Sequence, residues 1–210
     1  MRLIVTRPAG QEHDLITRLE ALGHAVVHCP LIRIEPLSDE PIELGRYDWV
    51  VVTSPNGARE LRRRARGSMP RVAAIGQATA DAMGGADLVA RVSTQEGLVS
   101  EMPRSAGRVL VAAAEGARTL LAEALGADFV PLYRTHALRP DPPPQGDVCL
   151  LASASAARAF GSLETGIPAV TIGPETTRAA REAGIAVLLE APTHDVDGLV
   201  AAILLLDASA

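Results

Sequence analysis

Short aliphatic runs alternate along this chain with stretches whose apolar positions recur at helical spacing. Residues 2–5 (RLIV) have the unbroken apolar character of a buried strand, and residues 9–22 (AGQEHDLITRLEAL) carry a helical pattern closed by Gly23. A second strand is expected over 25–34 (AVVHCPLIRI), leading into the turn-rich segment LSDEP. Trp49-Val50-Val51-Val52 predicts a further strand, ending at Thr53-Ser54-Pro55-Asn56-Gly57, where an Arg-rich helix begins. Val72-Ala73-Ala74-Ile75 reads as the next strand, followed by Gly76 and a helix of small residues running to Gly84. Continuous apolar strands alternating with helices imply an α/β architecture of parallel sheets covered on both faces.

The pattern occurs twice. RLIVTRPAGQEHDLITRLEALG (2–23) has the shape of RVLVAAAEGARTLLAEALG (108–126), and DWVVVTSPNGAREL (48–61) that of DVCLLASASAARAF (147–160). VAAIGQATADAMG (72–84) matches AVTIGPETTRAAREAG (169–184), so the period is roughly 100 residues. The segments AVVHCPLIRIEP (25–36) and DFVPLYRTHALRP (128–140) mirror each other, share a Pro-Leu pair and read as extended crossings between two lobes. A duplicated two-domain protein accounts for this order better than one long domain.

Composition narrows the chemistry. Of 210 residues, 48% are hydrophobic and 21% charged, enough to bury a core and too apolar for disorder. Aromatics are only 2%, so the core is aliphatic and stacking platforms for single-stranded nucleic acid are disfavoured. All 20 residues in the Lys+Arg count are Arg. Without Lys there is no Schiff base and no Walker lysine, which excludes lysine aldolases, pyridoxal-phosphate enzymes and P-loop NTPases. A net charge of −5 argues against a nucleic-acid partner. Cys29 and Cys149 show no CxxC spacing, as expected of a reduced cytoplasmic protein without structural zinc. The five His form no metal-ligand pattern, and no GxGxxG or GxSxG follows a strand. No metal and no cofactor are therefore expected. No apolar run reaches the roughly 20 residues of a membrane span, and the chain enters a strand at once, so neither a membrane anchor nor a signal peptide is expected.

The remaining candidates are the strand-to-helix corners. Thr53, Ser54 and Asn56 stand where unpaired backbone N–H groups and the helix dipole favour an anion, and Ser153 and Ser155 repeat them in Ala152-Ser153-Ala154-Ser155-Ala156. Gly76 with Thr79 and Gly173 with Thr176 form a second matched pair, in which Gly permits close approach to the backbone. Plain N-capping explains any one such corner; four in register point to clefts that bind a ligand at the carboxyl ends of parallel strands. Arg7, after the first strand, is either a carboxylate clamp or a solvated surface residue. The run Arg62-Arg63-Arg64, with Arg59 and Arg66, reads as a solvated helix face.

The ordered set IVTRP (4–8), DWVVVTSPNGA (48–58), AIGQATADAM (74–83), RVLVAAAEGARTLLAEAL (108–125), VPLYRT (130–135) and TIGPETTRAAREAG (171–184) resembles the uroporphyrinogen-III synthase family from end to end. The resemblance implies two flavodoxin-like lobes joined by a two-stranded linker, with the active site in the cleft between them. One lobe would comprise 1–35 plus 138–210 and the other 36–137. It implies a cofactor-free lyase of heme and tetrapyrrole biosynthesis, a monomer in the cytoplasm. Its substrate would be hydroxymethylbilane, a linear tetrapyrrole bearing acetate and propionate chains. Loss of the terminal hydroxyl makes an azafulvene, attack from ring D makes a spiro intermediate, and re-closure gives uroporphyrinogen III with ring D inverted. By family motif, Thr53, Ser54, Thr79, Ser153 and Thr176 are cleft residues and Tyr133 the candidate proton donor; the alternative for Tyr133 is packing against the linker. The corner at 152–156 lacks the usual Pro, and Glu175 stands where a small polar residue is common. A non-catalytic relative that senses a tetrapyrrole or another anion is the alternative function.

Overall fold

Alternating apolar runs become strands wherever both faces can be covered, and in this chain they build two separate sheets. The computed structural model describes residues 1–209. The chain opens with β1 (Arg2–Val5), α1 (His13–Ala21) and β2 (Ala25–His28), then enters β3 (Ile32–Pro36). There follow β4 (Ile42–Glu43), β5 (Trp49–Val52), α2 (Pro55–Arg64), β6 (Ala65–Arg66), β7 (Arg71–Ala74), α3 (Gln77–Met83), β8 (Leu88–Val89), α4 (Gln95–Glu101), β9 (Val109–Ala114) and α5 (Leu120–Leu125). The long β10 (Asp128–Ala137) leads to β11 (Val148–Leu151), α6 (Ala154–Gly161), β12 (Ala169–Thr171), α7 (Pro174–Glu182), β13 (Val187–Glu190) and α8 (Val196–Asp207).

Two compact units result: Met1–Arg33 with His136–Ala210, and Ile34–Thr135. The chain passes between them inside β3 and inside β10, which are neighbours at one end of a sheet.

The first unit holds a five-stranded sheet ordered β13-β12-β11-β1-β2, parallel throughout. Leu3, Val5, Val148, Leu150 and Val170 face α1 and α8 through Leu15, Leu19, Leu199 and Ile203. Alternate residues turn to the opposite face, where Thr171 meets Thr177 of α7 through their hydroxyls at 2.6 Å.

The second unit's sheet is ordered β3-β10-β9-β5-β7-β8, with β10 through β8 parallel. Along β5, Val50 and Val52 pack with Ala58 and Leu61 of α2 and Ala80 and Met83 of α3. Trp49 and Val51 pack with Leu98 of α4 and Leu121 of α5. The period of two thus sends successive side chains into two separate cores.

Four features depart from the sequence reading. The strand expected over 25–34 is split into β2 and β3, because Pro30 has no N–H to continue the ladder. The helix expected over 9–22 begins only at His13: Gly10 takes φ +84° and Gln11 N–H donates to Pro8 O, a turn that holds the first residues out of the helix. Each copy also gains a strand–helix pair, β8–α4 and β13–α8, whose short or half-buried strands carry little apolar signal. Finally, β4 and β6 form a small parallel sheet of their own.

Candidate active site

In each unit the strand order reverses once: between β5 and β9 in the second, and between β1 and β11 in the first. Chains leave such neighbours in opposite directions, which opens a crevice at the carboxyl ends of the strands. The sequence-predicted residues fall at these ends in two groups. Thr53, Ser54, Asn56, Gly76, Thr79 and Tyr133 belong to the second unit; Arg7, Ser153, Ser155, Gly173 and Thr176 belong to the first.

Ser54 and Ser153 are matched N-caps. Ser54 sits at φ −163°, ψ 155° and Ser153 at φ −164°, ψ 154°, extended backbone that aims each side chain at the first helical turn. Ser54 Oγ accepts from Gly57 N–H at 3.0 Å, and Ser153 Oγ accepts from Ala156 N–H at 3.2 Å. Pro55 of one corner and Ala154 of the other leave the geometry the same, so the absence of Pro has not remodelled this corner. Thr53, Asn56 and Ser155 are half-buried beside the caps, and Asn56 Oδ1 accepts from an Arg59 N–H at 2.8 Å.

Gly76 and Gly173 precede α3 and α7 in extended backbone that any residue could adopt. Space is what restricts them. A Cβ on Gly76 would lie 2.9 Å from Ser93 Oγ, and one on Gly173 would lie 2.9 Å from His194 Cδ2. The sequence reading reserved this space for a ligand; in the structure the next loop reaches over each glycine. Thr79 and Thr176, one turn along, are 3% and 4% exposed.

Those covering loops were missed in the sequence. They belong to a further pair of repeats, VSTQEGLV (92–99) and THDVDGLV (193–200). Thr94 caps α4 by accepting from Gly97 N–H at 3.0 Å, and Asp195 caps α8 by accepting from Gly198 N–H at 2.8 Å. A shared GLV preceded by a capping residue was the available signal.

Tyr133 lies on β10 opposite Ala114 of β9, where the register shifts. Its ring belongs to the core of the second unit and is 6% exposed, and its hydroxyl is 2.8 Å from Ser54 Oγ. Burial pushes this phenol's pKa up, opposed by the Ser54 hydrogen bond and by the positive charge of Arg59. Packing and a polar contact at the helix cap are therefore both present in one residue. The Arg run contributes here through Arg59, whereas Arg63 is tied to Glu60 and Asp39.

In the first unit, Thr6 donates its hydroxyl hydrogen to Leu150 O at 2.8 Å, pinning β1 to β11 at the reversal. Arg7 follows, half-buried, its carbonyl oxygen 3.0 Å from His28 Nε2. Glu175, the acidic residue at the start of α7, pairs with Arg178 at 2.9 Å, so a cation offsets its charge at close range. Among the described residues, no three His, Cys, Asp or Glu side chains converge as metal ligands would.

The comparisons with known proteins agree with one another. The sequence matches the protein family described as uroporphyrinogen-III synthase HemD over residues 13–201. A uroporphyrinogen-III synthase of Synechococcus elongatus is 25% identical over 246 aligned positions, covering 96% of this chain and 93% of that protein. Among solved structures, a mutant uroporphyrinogen III synthase from Thermus thermophilus superposes with a TM-score of 0.69 at 16% identity, each chain covered completely. The last likeness concerns the fold.

Proposed function

This chain belongs to the uroporphyrinogen-III synthase HemD family, and from that premise we propose how its residues divide the work. The protein is a uroporphyrinogen-III synthase, a lyase of tetrapyrrole and heme biosynthesis that closes hydroxymethylbilane to uroporphyrinogen III with inversion of ring D and release of water. The family match over 13–201 is the observation that carries this conclusion.

The substrate brings most of its own reactivity. Once the terminal hydroxyl has left, the azafulvene is electrophilic, and unaided closure gives the unrearranged isomer I. The protein must hold the chain so that ring D attacks through its substituted carbon, a task of positioning more than of new chemistry. In our reading the capped corners at Ser54 and Ser153 receive substrate carboxylates. At each, the side chain satisfies one backbone donor; the remaining first-turn N–H groups, which would face an anion, are that of Asn56 at the first corner, where Pro55 has none, and those of Ala154 and Ser155 at the second. Half-buried Thr53, Asn56 and Ser155, with Arg7, complete the proposed binding set; the Gly76 and Gly173 corners are covered by Ser93 and His194, and Thr79 and Thr176 are buried beneath them. Because the protein is acidic overall, attraction for a polyanion has to be local, which helix N-termini and single arginines supply.

Tyr133 is the proposed proton donor. The departing hydroxide takes the phenol proton and leaves as water, and the closing macrocycle returns a proton as ring D regains its aromatic form. Burial raises the cost of giving the proton up, and the Ser54 hydrogen bond and the Arg59 charge, which both favour the phenolate, offset it.

Incubation with freshly generated hydroxymethylbilane, followed by separation of the oxidised porphyrin isomers, tests the function. Isomer III in excess over the spontaneous background is the expected product. Isomer I alone, at the rate seen without protein, would leave a ligand-binding relative. The proposal also takes the working form to be a cytoplasmic monomer, to be tested by sedimentation at assay concentration and by cell fractionation. Among the described residues no helix is long and apolar enough to cross a membrane.

A further inference from the structure

The two copies of the repeat differ at one point that plain capping does not explain. Both carry a Ser N-cap with matched backbone angles. Aligning the Pro-Leu pairs of the linkers sets Pro131-Leu132-Tyr133-Arg134 against Pro30-Leu31-Ile32-Arg33, so the counterpart of Tyr133 is the hydroxyl-free Ile32. The residue at the third helical position differs in the same sense. It is Gly57 in the copy with the tyrosine and Ala156 in the other. A Cβ on Gly57 would lie 3.2 Å from Ser54 Oγ and 3.8 Å from Tyr133 Cε1. At 3.8 Å a Cβ would be in ordinary contact with the ring, so the glycine leaves room beside the phenol and the cap without a clash requiring it.

Counting protons at Ser54 shows what this contact can do. A serine hydroxyl has two lone pairs and one hydrogen. One lone pair is held by Gly57 N–H at 3.0 Å, which leaves one lone pair and the hydrogen for Tyr133, 2.8 Å away. While the phenol is protonated it can donate to Ser54. When that proton goes to a leaving group, Ser54 can turn its own hydrogen onto the phenolate oxygen, with no heavy atom moving and the helix cap intact.

We propose that Ser54 is the positioning residue of Tyr133, holding the phenol against the first turn of α2 and switching from acceptor to donor as the proton leaves. Arg59, tethered to Asn56 Oδ1 at 2.8 Å, adds a cation in the same turn that favours the phenolate. Ser153 caps α6 without this second task. The inference rests on the reading of Tyr133 as proton donor, and the experiment separates the two.

Four variants are compared: Ser54→Ala, Ser54→Thr, Ser153→Ala and Tyr133→Phe. Turnover, its pH profile and the III-to-I ratio are measured with hydroxymethylbilane. Tyrosine titration is followed by NMR on protein labelled at tyrosine Cζ, where the two Tyr signals are assigned with the Phe variant. Ser54→Ala should raise the Tyr133 pKa, since the lost hydrogen bond is one that lowers it, and lower isomer III formation roughly 2- to 10-fold, the worth of one neutral hydrogen bond. Ser54→Thr, which keeps the hydroxyl, should restore both. Ser153→Ala loses an equivalent cap and should leave the Tyr133 titration where it was, whatever it does to binding. An unshifted titration and pH profile in Ser54→Ala, or an equal shift in Ser153→Ala, would overturn the positioning role even if Tyr133→Phe loses isomer III. Full isomer III formation by Tyr133→Phe would instead remove the donor reading and the switch with it.

Discussion

Replacing Tyr133 with Phe removes a single oxygen from a residue embedded in the core of the second unit. The ring keeps its packing against neighbours such as Leu110, Ala112 and Leu132, and its 6% exposure leaves water little access to the change. What is lost is the 2.8 Å hydrogen bond to Ser54, whose hydroxyl still accepts from Gly57 N–H and can turn its hydrogen elsewhere. One neutral hydrogen bond is worth about 0.5–1.5 kcal/mol, so the melting temperature should fall by roughly 1–6 °C and the fold persist. Catalysis should suffer far more, since a positioned general acid contributes about 10²–10⁴-fold. Because hydroxymethylbilane also closes unaided, the loss should show as a change of product as well as of rate. Isomer I should dominate at low enzyme, while product affinity stays near the wild-type value. Separation of porphyrin isomers over a range of enzyme concentrations, beside a thermal melt, reads both quantities. Isomer III at the wild-type rate would refute the donor role and leave Tyr133 as a packing residue with a hydrogen-bonded tip.

Three further outcomes follow from other parts of the structure. A Cβ at Gly97 would lie 2.2 Å from Val92 O, and one at Gly198 would lie 1.9 Å from Thr193 O; Gly97→Ala and Gly198→Ala should therefore lower the urea midpoint despite alanine's better helix propensity. Gly116→Ala, with nothing within 4 Å, should stay within about 0.5 kcal/mol of wild type. Cys29 and Cys149 are both buried, and desolvation pushes both thiols' pKa values up. Neither should react with a thiol reagent at neutral pH until urea unfolds the protein, and rapid labelling of the native state would contradict this. The Tyr47 hydroxyl and then Arg108 hold Asp128 below the usual carboxylate range. Its contribution is present above the ordinary aspartate value near 4 and is lost as pH falls below it, so Asp128→Asn should flatten the acid limb of a stability–pH curve. An unchanged limb would show that the interaction is screened away.

What the sequence by itself determines here is local and ordered. Unbroken apolar runs become strands because both faces of a parallel sheet need covering, and Ser54 and Ser153 begin helices because a serine at that position satisfies a first-turn N–H. The succession of such motifs, read twice along the chain, is also what makes the family legible without any single diagnostic signature. Tertiary structure decides whatever depends on residues far apart. Leu3 pairs with Val148, which seats β1 beside a strand of the later copy, and no local preference selects that partner. Gly76 and Gly173 look in sequence like backbone left open for a ligand; only the fold brings Ser93 and His194 over them and makes the requirement steric. Tyr133 is one of two aromatics in a linker until the register of β10 against β9 and the path of β5 into α2 bring its hydroxyl to Ser54, 79 positions earlier. Propensity acts through neighbours along the chain, whereas a proton passes between atoms that only packing brings within 3 Å.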